Sequence, residues 1–144
     1  MKDTNKMNEY LSNLAVWNVK LHNLHWNVVG PQFVQIHEFT ESLYDDVFAK
    51  YDAVAEIMKM KGQTPLVKMV DYLGHASLKE LDQDAFTASE VLEILQKDLN
   101  QMKELATAIR FAADDEDDFE VVAEFEAHVA GYSKHLWFIQ AMME

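Results

Sequence analysis

The sequence predicts an all-α protein: a bundle of four long helices with a short extra helix in the crossover between the second and third. Three observations carry that reading. The 144 residues are 49% hydrophobic, enough for one core and a single domain spanning residues 1–144. Four Gly and two Pro are too few to turn the many hairpins of an all-β chain. Apolar residues also recur at helical spacing through four long stretches.

A first helix is expected from about Asn5 to Val29, where Leu11, Leu14, Asn18, Leu21, His25 and Val28 share one stripe and Asp3, Thr4 or Asn5 supplies the cap. Gly30-Pro31 ends it, because Gly accepts the left-handed conformation after a helix and Pro starts the next one well. A second helix then runs from about Pro31 to Lys61, roughly 45 Å, and stops at Gly62. About 25 residues follow before the third helix, and Leu66, Val67, Met69, Val70 and Leu73 predict a short helix among them, ending near Gly74. Thr87 and Glu90 have capping-box spacing and open the third helix, whose stripe is Leu92, Leu95, Leu99, Met102, Ala106 and Ile109. The acidic run from Asp114 to Asp118 breaks it and suits the start of a fourth, with Val122, Phe125, Val129, Tyr132, Leu136, Ile139 and Met143 as its stripe. Short turns make the first two and the last two helices antiparallel neighbours, and the long connection returns along the bundle. One long crossover is the ferritin-like connectivity.

Composition removes whole classes of function. Twelve Lys plus Arg against 25 Asp plus Glu give a formal charge of −13, and Arg110 is the only arginine, so a duplex-binding surface is not expected. The absence of Cys excludes disulfides, thiolate metal sites and cysteine nucleophiles, which leaves oxygen and imidazole as metal ligands. The N-terminal residues show no basic-then-apolar leader, and no run is long enough to span a membrane, so a cytoplasmic protein without membrane contact is expected. Phosphate-loop, G-x-S-x-G and H-E-x-x-H motifs are all missing.

What remains is histidine and carboxylate on helices. His37 and Glu41 stand one turn apart on the second helix, as do Asp52 and Glu56, and the four fall on one face. The 11 positions from Glu41 to Asp52 separate the pairs by about 16 Å, beyond the span of one metal site. One chain therefore does not close the site. Two copies of this helix crossing antiparallel about a two-fold axis near Asp46 and Val47 would place His37 and Glu41 of one against Asp52 and Glu56 of the other, giving two equivalent sites. His25, one tight turn before the second helix, is the natural further ligand. Taken singly, a histidine among leucines reads as core and an i,i+4 carboxylate pair as a solvated face. Jointly, carboxylates beside Leu43, Val47, Phe48 and Tyr51 would be costly to bury without a cation. Trp26 adjoins His25 and is a candidate shield for the site. His22 lies three residues before His25 but off its stripe, while His75, His128 and His135 read as surface or partly buried polar residues. An intrachain di-iron bundle calls for two Glu-x-x-His pairs, and Glu124 to His128 has the wrong spacing.

With these residues in place, the chain resembles the Dps family, the starvation-induced mini-ferritins, over essentially its whole length. The resemblance rests on Leu21-His22-Asn23-Leu24-His25-Trp26-Asn27-Val28-Val29-Gly30, on His37, and on Asp52-Ala53-Val54-Ala55-Glu56, with Lys134-His135-Leu136-Trp137 as weaker support. It implies that His25, His37, Asp52 and Glu56 are ferroxidase ligands shared between subunits of a hollow dodecameric shell. Family members often have Asp where this chain has Glu41, so Glu41 is carried over as a ligand one methylene longer. The implied activity is oxidation of Fe(II), preferentially by hydrogen peroxide, with storage of the ferric mineral inside the shell and protection against oxidative stress. Family pores are lined by Asp near the start of the last helix, which makes Asp114 and Asp118 candidates. DNA binding in members that have it resembles a basic-tail mechanism; here Lys2 and Lys6 stand beside Asp3 and Glu9, so weak or absent binding is expected. The alternative reading is a non-enzymatic shell that condenses DNA or serves as a surface interaction protein.

Overall fold

The computed structural model describes residues 2–144. Five helices lie among them: α1 (Asn5–Asn27), α2 (Phe33–Met60), α3 (Met69–His75), α4 (Ala88–Asp115) and α5 (Phe119–Met143). The four long helices pack as two close pairs, α1 with α2 and α4 with α5, and α3 lies against α1 within the crossover. Leu14, Trp17 and Leu21 of α1, Leu43 and Val54 of α2, Leu95, Leu99 and Met102 of α4, and Phe125 and Ile139 of α5 meet in one buried core. No helix among the described residues is long and apolar enough to cross a membrane.

One feature departs from the expected helix ends. Val28-Val29 leaves α1 and pairs in parallel with Phe86-Thr87, forming strands β1 (Val28–Val29) and β2 (Phe86–Thr87) that tie the end of α1 to the start of α4. Two residues carry no period for a sequence to display, and the partner lies on the far side of the crossover.

The helix ends follow local chemistry. Gly62, in the left-handed region with φ 76°, closes α2 as Gln63 N–H reaches Met58 C=O and Gly62 N–H reaches Lys59 C=O. The acidic run makes the same turn between α4 and α5, with Asp117 as the left-handed residue (φ 54°) and Asp118 N–H on Ala113 C=O. Asp118 then caps α5 by accepting from Val121 N–H. At α4 the capping box is complete: Thr87 Oγ1 accepts Glu90 N–H at 3.1 Å, and Glu90 Oε1 accepts Thr87 N–H at 3.0 Å. Thr87→Ala is expected to lower stability by about 1 kcal/mol, read as a lower denaturant midpoint at unchanged slope.

Inside the bundle a polar chain replaces part of the core. His128 is 2% exposed, which corrects its placement near the surface. Its Nε2–H donates to Glu124 Oε2 at 2.7 Å, its Nδ1 accepts from the Tyr10 hydroxyl at 2.8 Å, and Tyr10 in turn accepts from Tyr132. Every member is satisfied in that order, as buried polar groups require. Burial, helped by the nearby Lys50 ammonium, holds the His128 imidazole down to about 4, against the pull of Glu124 and Asp46. In the unfolded chain the same group protonates near 6.5, so unfolding takes up a proton between these values. Stability is therefore insensitive to this histidine above pH 6.5 and falls by about 2–3 kcal/mol as pH drops from 6.5 toward 4. Urea midpoints measured across that range check this, and His128→Gln is expected to flatten the dependence.

Candidate metal centre

His25 near the end of α1 and His37 in the second turn of α2 are brought together by the tight turn at Gly30, whose φ of 116° suits glycine. Their rings stack face to face, with centroids 3.6 Å apart and planes 13° from parallel. Each Nδ1–H donates to the other's backbone carbonyl: His25 Nδ1 to His37 C=O at 2.7 Å, and His37 Nδ1 to His25 C=O at 2.8 Å. The reciprocal bonds fix both tautomers and leave both Nε2 lone pairs uncommitted, as metal-ligating imidazoles need. Thr40 Oγ1 lies 3.1 Å from His25 Nδ1 and supports the same tautomer, its own hydroxyl donating to Ile36 C=O at 2.8 Å. Burial lowers the proton affinity of His25, which is 4% exposed, and so keeps it neutral and able to ligate.

The carboxylates are placed differently. Glu41, Asp52 and Glu56 are all exposed on α2, in one stripe with Asp45 and Phe48, and Phe48 is 61% exposed. Leu43 and Val47, expected on that face, are each 1% exposed and belong to the core of their own bundle. Asp46 faces inward too, accepting from Lys50 and from His135 at 3.4 Å. Burial opposes ionisation of Asp46, but these two bonds outweigh it and hold the carboxyl down to about 2. Among the described residues no three His, Asp or Glu side chains of the chain converge on a metal position. The structure thus joins His25 to His37, keeps Glu41 one turn beyond His37 and within electrostatic reach of His25, and leaves Asp52 and Glu56 further along α2, with all three carboxylates turned outward.

Other expected residues fall as follows. Trp26 is 67% exposed and packs its ring on His22 at 5.4 Å. Asp114 is exposed and pairs with Arg110 at 3.5 Å. Asp118 does not suit an open channel: it is 8% exposed, caps α5 and pairs with Lys61 at 2.8 Å. Tyr44, to which the sequence motifs assign no role, stands edge-on to His25 with centroids 5.1 Å apart and carries His22 stacked on its ring at 4.0 Å. Its position one turn beyond Thr40 on α2 was the available signal.

A long-helix bundle with one crossover and two tautomer-fixed imidazoles beside outward carboxylates defines a protein of the ferritin-like class, and the ferritin-like domain family matches residues 4–144. Within that class the chain belongs to the Dps family. It is 35% identical over 138 residues to the DNA protection during starvation protein of Brevibacillus brevis, covering 96% of this chain and 92% of that one. It is 31% identical to DNA protection during starvation protein 2 of Bacillus anthracis, over 95% and 93% of the two chains. The crystal structure of a Dps protein from Bacillus brevis superposes with a TM-score of 0.92 at 32% identity, covering 100% of both chains.

Proposed function

We propose that this protein oxidises and stores iron, with Fe(II) as substrate and hydrogen peroxide as the preferred oxidant, at sites that two subunits complete together. The observation that carries the reading is the pair of imidazoles whose Nδ1–H groups are spent on backbone carbonyls, next to an α2 face that carries uncompensated carboxylates. Antiparallel contact of two α2 helices with Glu41 opposite Asp52 also sets His37 opposite Glu56 and Asp45 opposite Phe48, so one register serves every donor. His25, His37 and Glu41 of one subunit and Asp52 and Glu56 of its partner then form a mixed nitrogen and oxygen set. Such a set suits iron, and its carboxylates favour the ferric product.

The chain's own part is to bind and to neutralise. Imidazole nitrogens left free by the Nδ1–H bonds accept Fe(II), and the carboxylates offset its charge. Two ferrous ions give one electron each to one peroxide, whose O–O bond breaks and whose oxygens end as water or hydroxide. Hydrolysis of Fe(III) to the oxyhydroxide releases protons to solvent. Both precursors of hydroxyl radical are consumed, which is the protective effect. The charge of −13 draws Fe(II) to the particle, and exposed Asp114 is the remaining candidate for a pore in a dodecameric, cytoplasmic shell. Trp26, whose ring meets His22, is the candidate to screen the site edge. Stopped-flow absorbance of the ferric product, after anaerobic Fe(II) loading and peroxide addition, tests the activity; oxidation no faster than in buffer overturns it.

The relatives' name favours a second reading, a shell that binds DNA. Charge argues against it, because phosphate neutralisation needs clustered cations. A gel-shift with linear DNA at moderate salt is expected to show no complex.

A further inference from the structure

Resting on the iron-site reading, we infer that His22 and Tyr44 form a clamp that positions the Glu41 carboxylate for metal. His22 is fixed at its base, Nδ1–H donating to Asn18 C=O at 2.6 Å. Its ring lies on Tyr44 with centroids 4.0 Å apart and planes 23° from parallel, joining α1 to α2 beside the ligand pair. The same phenol stands edge-on to His25 and extends its hydroxyl to Glu41 Oε1 at 3.4 Å. One oxygen of Glu41 is thereby approached and the other left open.

The clamp answers a specific difficulty. Glu41 is exposed on a helix face and carries three rotatable bonds, so binding metal means ordering a side chain that is otherwise free. Tyr44 has only two torsions, and the stack on His22 fixes both, so the hydroxyl is delivered to a defined place. The bond to Glu41 is long, which makes its geometry depend on where the ring is held. Core packing accounts for only part of the arrangement: Tyr44 leans on the core, but His22 is a half-buried polar residue outside it. His22 and Tyr44 are positioning residues, since neither is required as a ligand.

The test uses the assembled protein and two readouts, Zn(II) affinity by calorimetry and the Fe(II) dependence of peroxide-driven oxidation. His22→Ala and Tyr44→Phe are each expected to weaken Zn(II) binding and raise the Fe(II) KM by about tenfold while kcat changes by less than about twofold. The double variant is expected to be no worse than either single one, because both act through Glu41. His22→Phe, which keeps the stack but gives up the Asn18 anchor, is expected to restore most of the affinity lost in His22→Ala. Loss in His22→Phe equal to that in His22→Ala overturns the clamp, since the nitrogen itself is then what matters. Unchanged affinity and KM in His22→Ala or Tyr44→Phe, with His37→Ala inactive, also overturns it. Full oxidation by His37→Ala overturns the iron-site reading itself, and the clamp falls with it.

Discussion

Subunits carrying His37→Ala and subunits carrying Asp52→Ala are each expected to be inactive as homo-oligomers, and to recover about a quarter of wild-type iron oxidation when co-assembled in equal amounts. Each substitution removes a donor from every site of a homo-oligomer, and loss of a metal ligand in a small donor set is expected to cost at least about 100-fold in rate. In a mixed dimer the defects segregate. One site receives the altered His37 region and the altered Asp52 region together, while the other receives two intact halves. Half the dimers in a random mixture are mixed, and half their sites work. Activity measured after dissociating and reassembling the mixture checks the result, with wild-type subunits treated alike as control. An inactive mixture beside an active control shows that each site is built within one chain.

The second large effect concerns stability. Asp98→Ala is expected to destabilise the fold by about 3–5 kcal/mol, whereas the double change Lys20→Met with Asp98→Leu is expected to be neutral or stabilising. Lys20 of α1 and Asp98 of α4 form an ion pair at 2.8 Å in which the two side chains are 6% and 4% exposed. Burial pushes the Asp98 carboxyl up despite the ammonium beside it, and Asp98 Oδ2 has no well-aligned hydrogen bond. Attraction therefore only partly offsets the loss of water around both charges. Removing Asp98 alone strands a buried ammonium, while removing both ends the cost of burying either. Guanidinium unfolding of the three proteins separates the cases: similar losses in single and double variants would mean that the pair contributes net stability.

Residues whose roles are local were legible. The Thr87-Glu90 cap, the glycine stop at Gly62 and the short helix of the crossover all follow from neighbours within a few positions, and Gly30 marks the turn toward α2 although α1 itself ends at Asn27. The candidate donors were legible for the same reason, since 3.6-residue periodicity places Glu41, Asp52 and Glu56 on one face of α2 without any knowledge of its surroundings. His128 was not. Its flanking position on α5 resembles a surface residue, and its burial depends on Tyr10, 118 positions earlier. Asp118 differs from Asp114 only through the turn at Asp117, which directs it to Val121 and Lys61.

Sequence alone determined the presence of the helices, the Thr87-Glu90 cap, the inventory of nitrogen and oxygen donors, and the separation of roughly 16 Å along α2 between Glu41 and Asp52. Only the tertiary structure decided which nitrogen of His25 and His37 faces outward, because that depends on carbonyls brought close by the Gly30 turn. It also decided that Leu43, Val47 and Asp46 turn inward while Phe48 stays exposed, since a helix's period tells which residues share a face and its packing tells which face is covered.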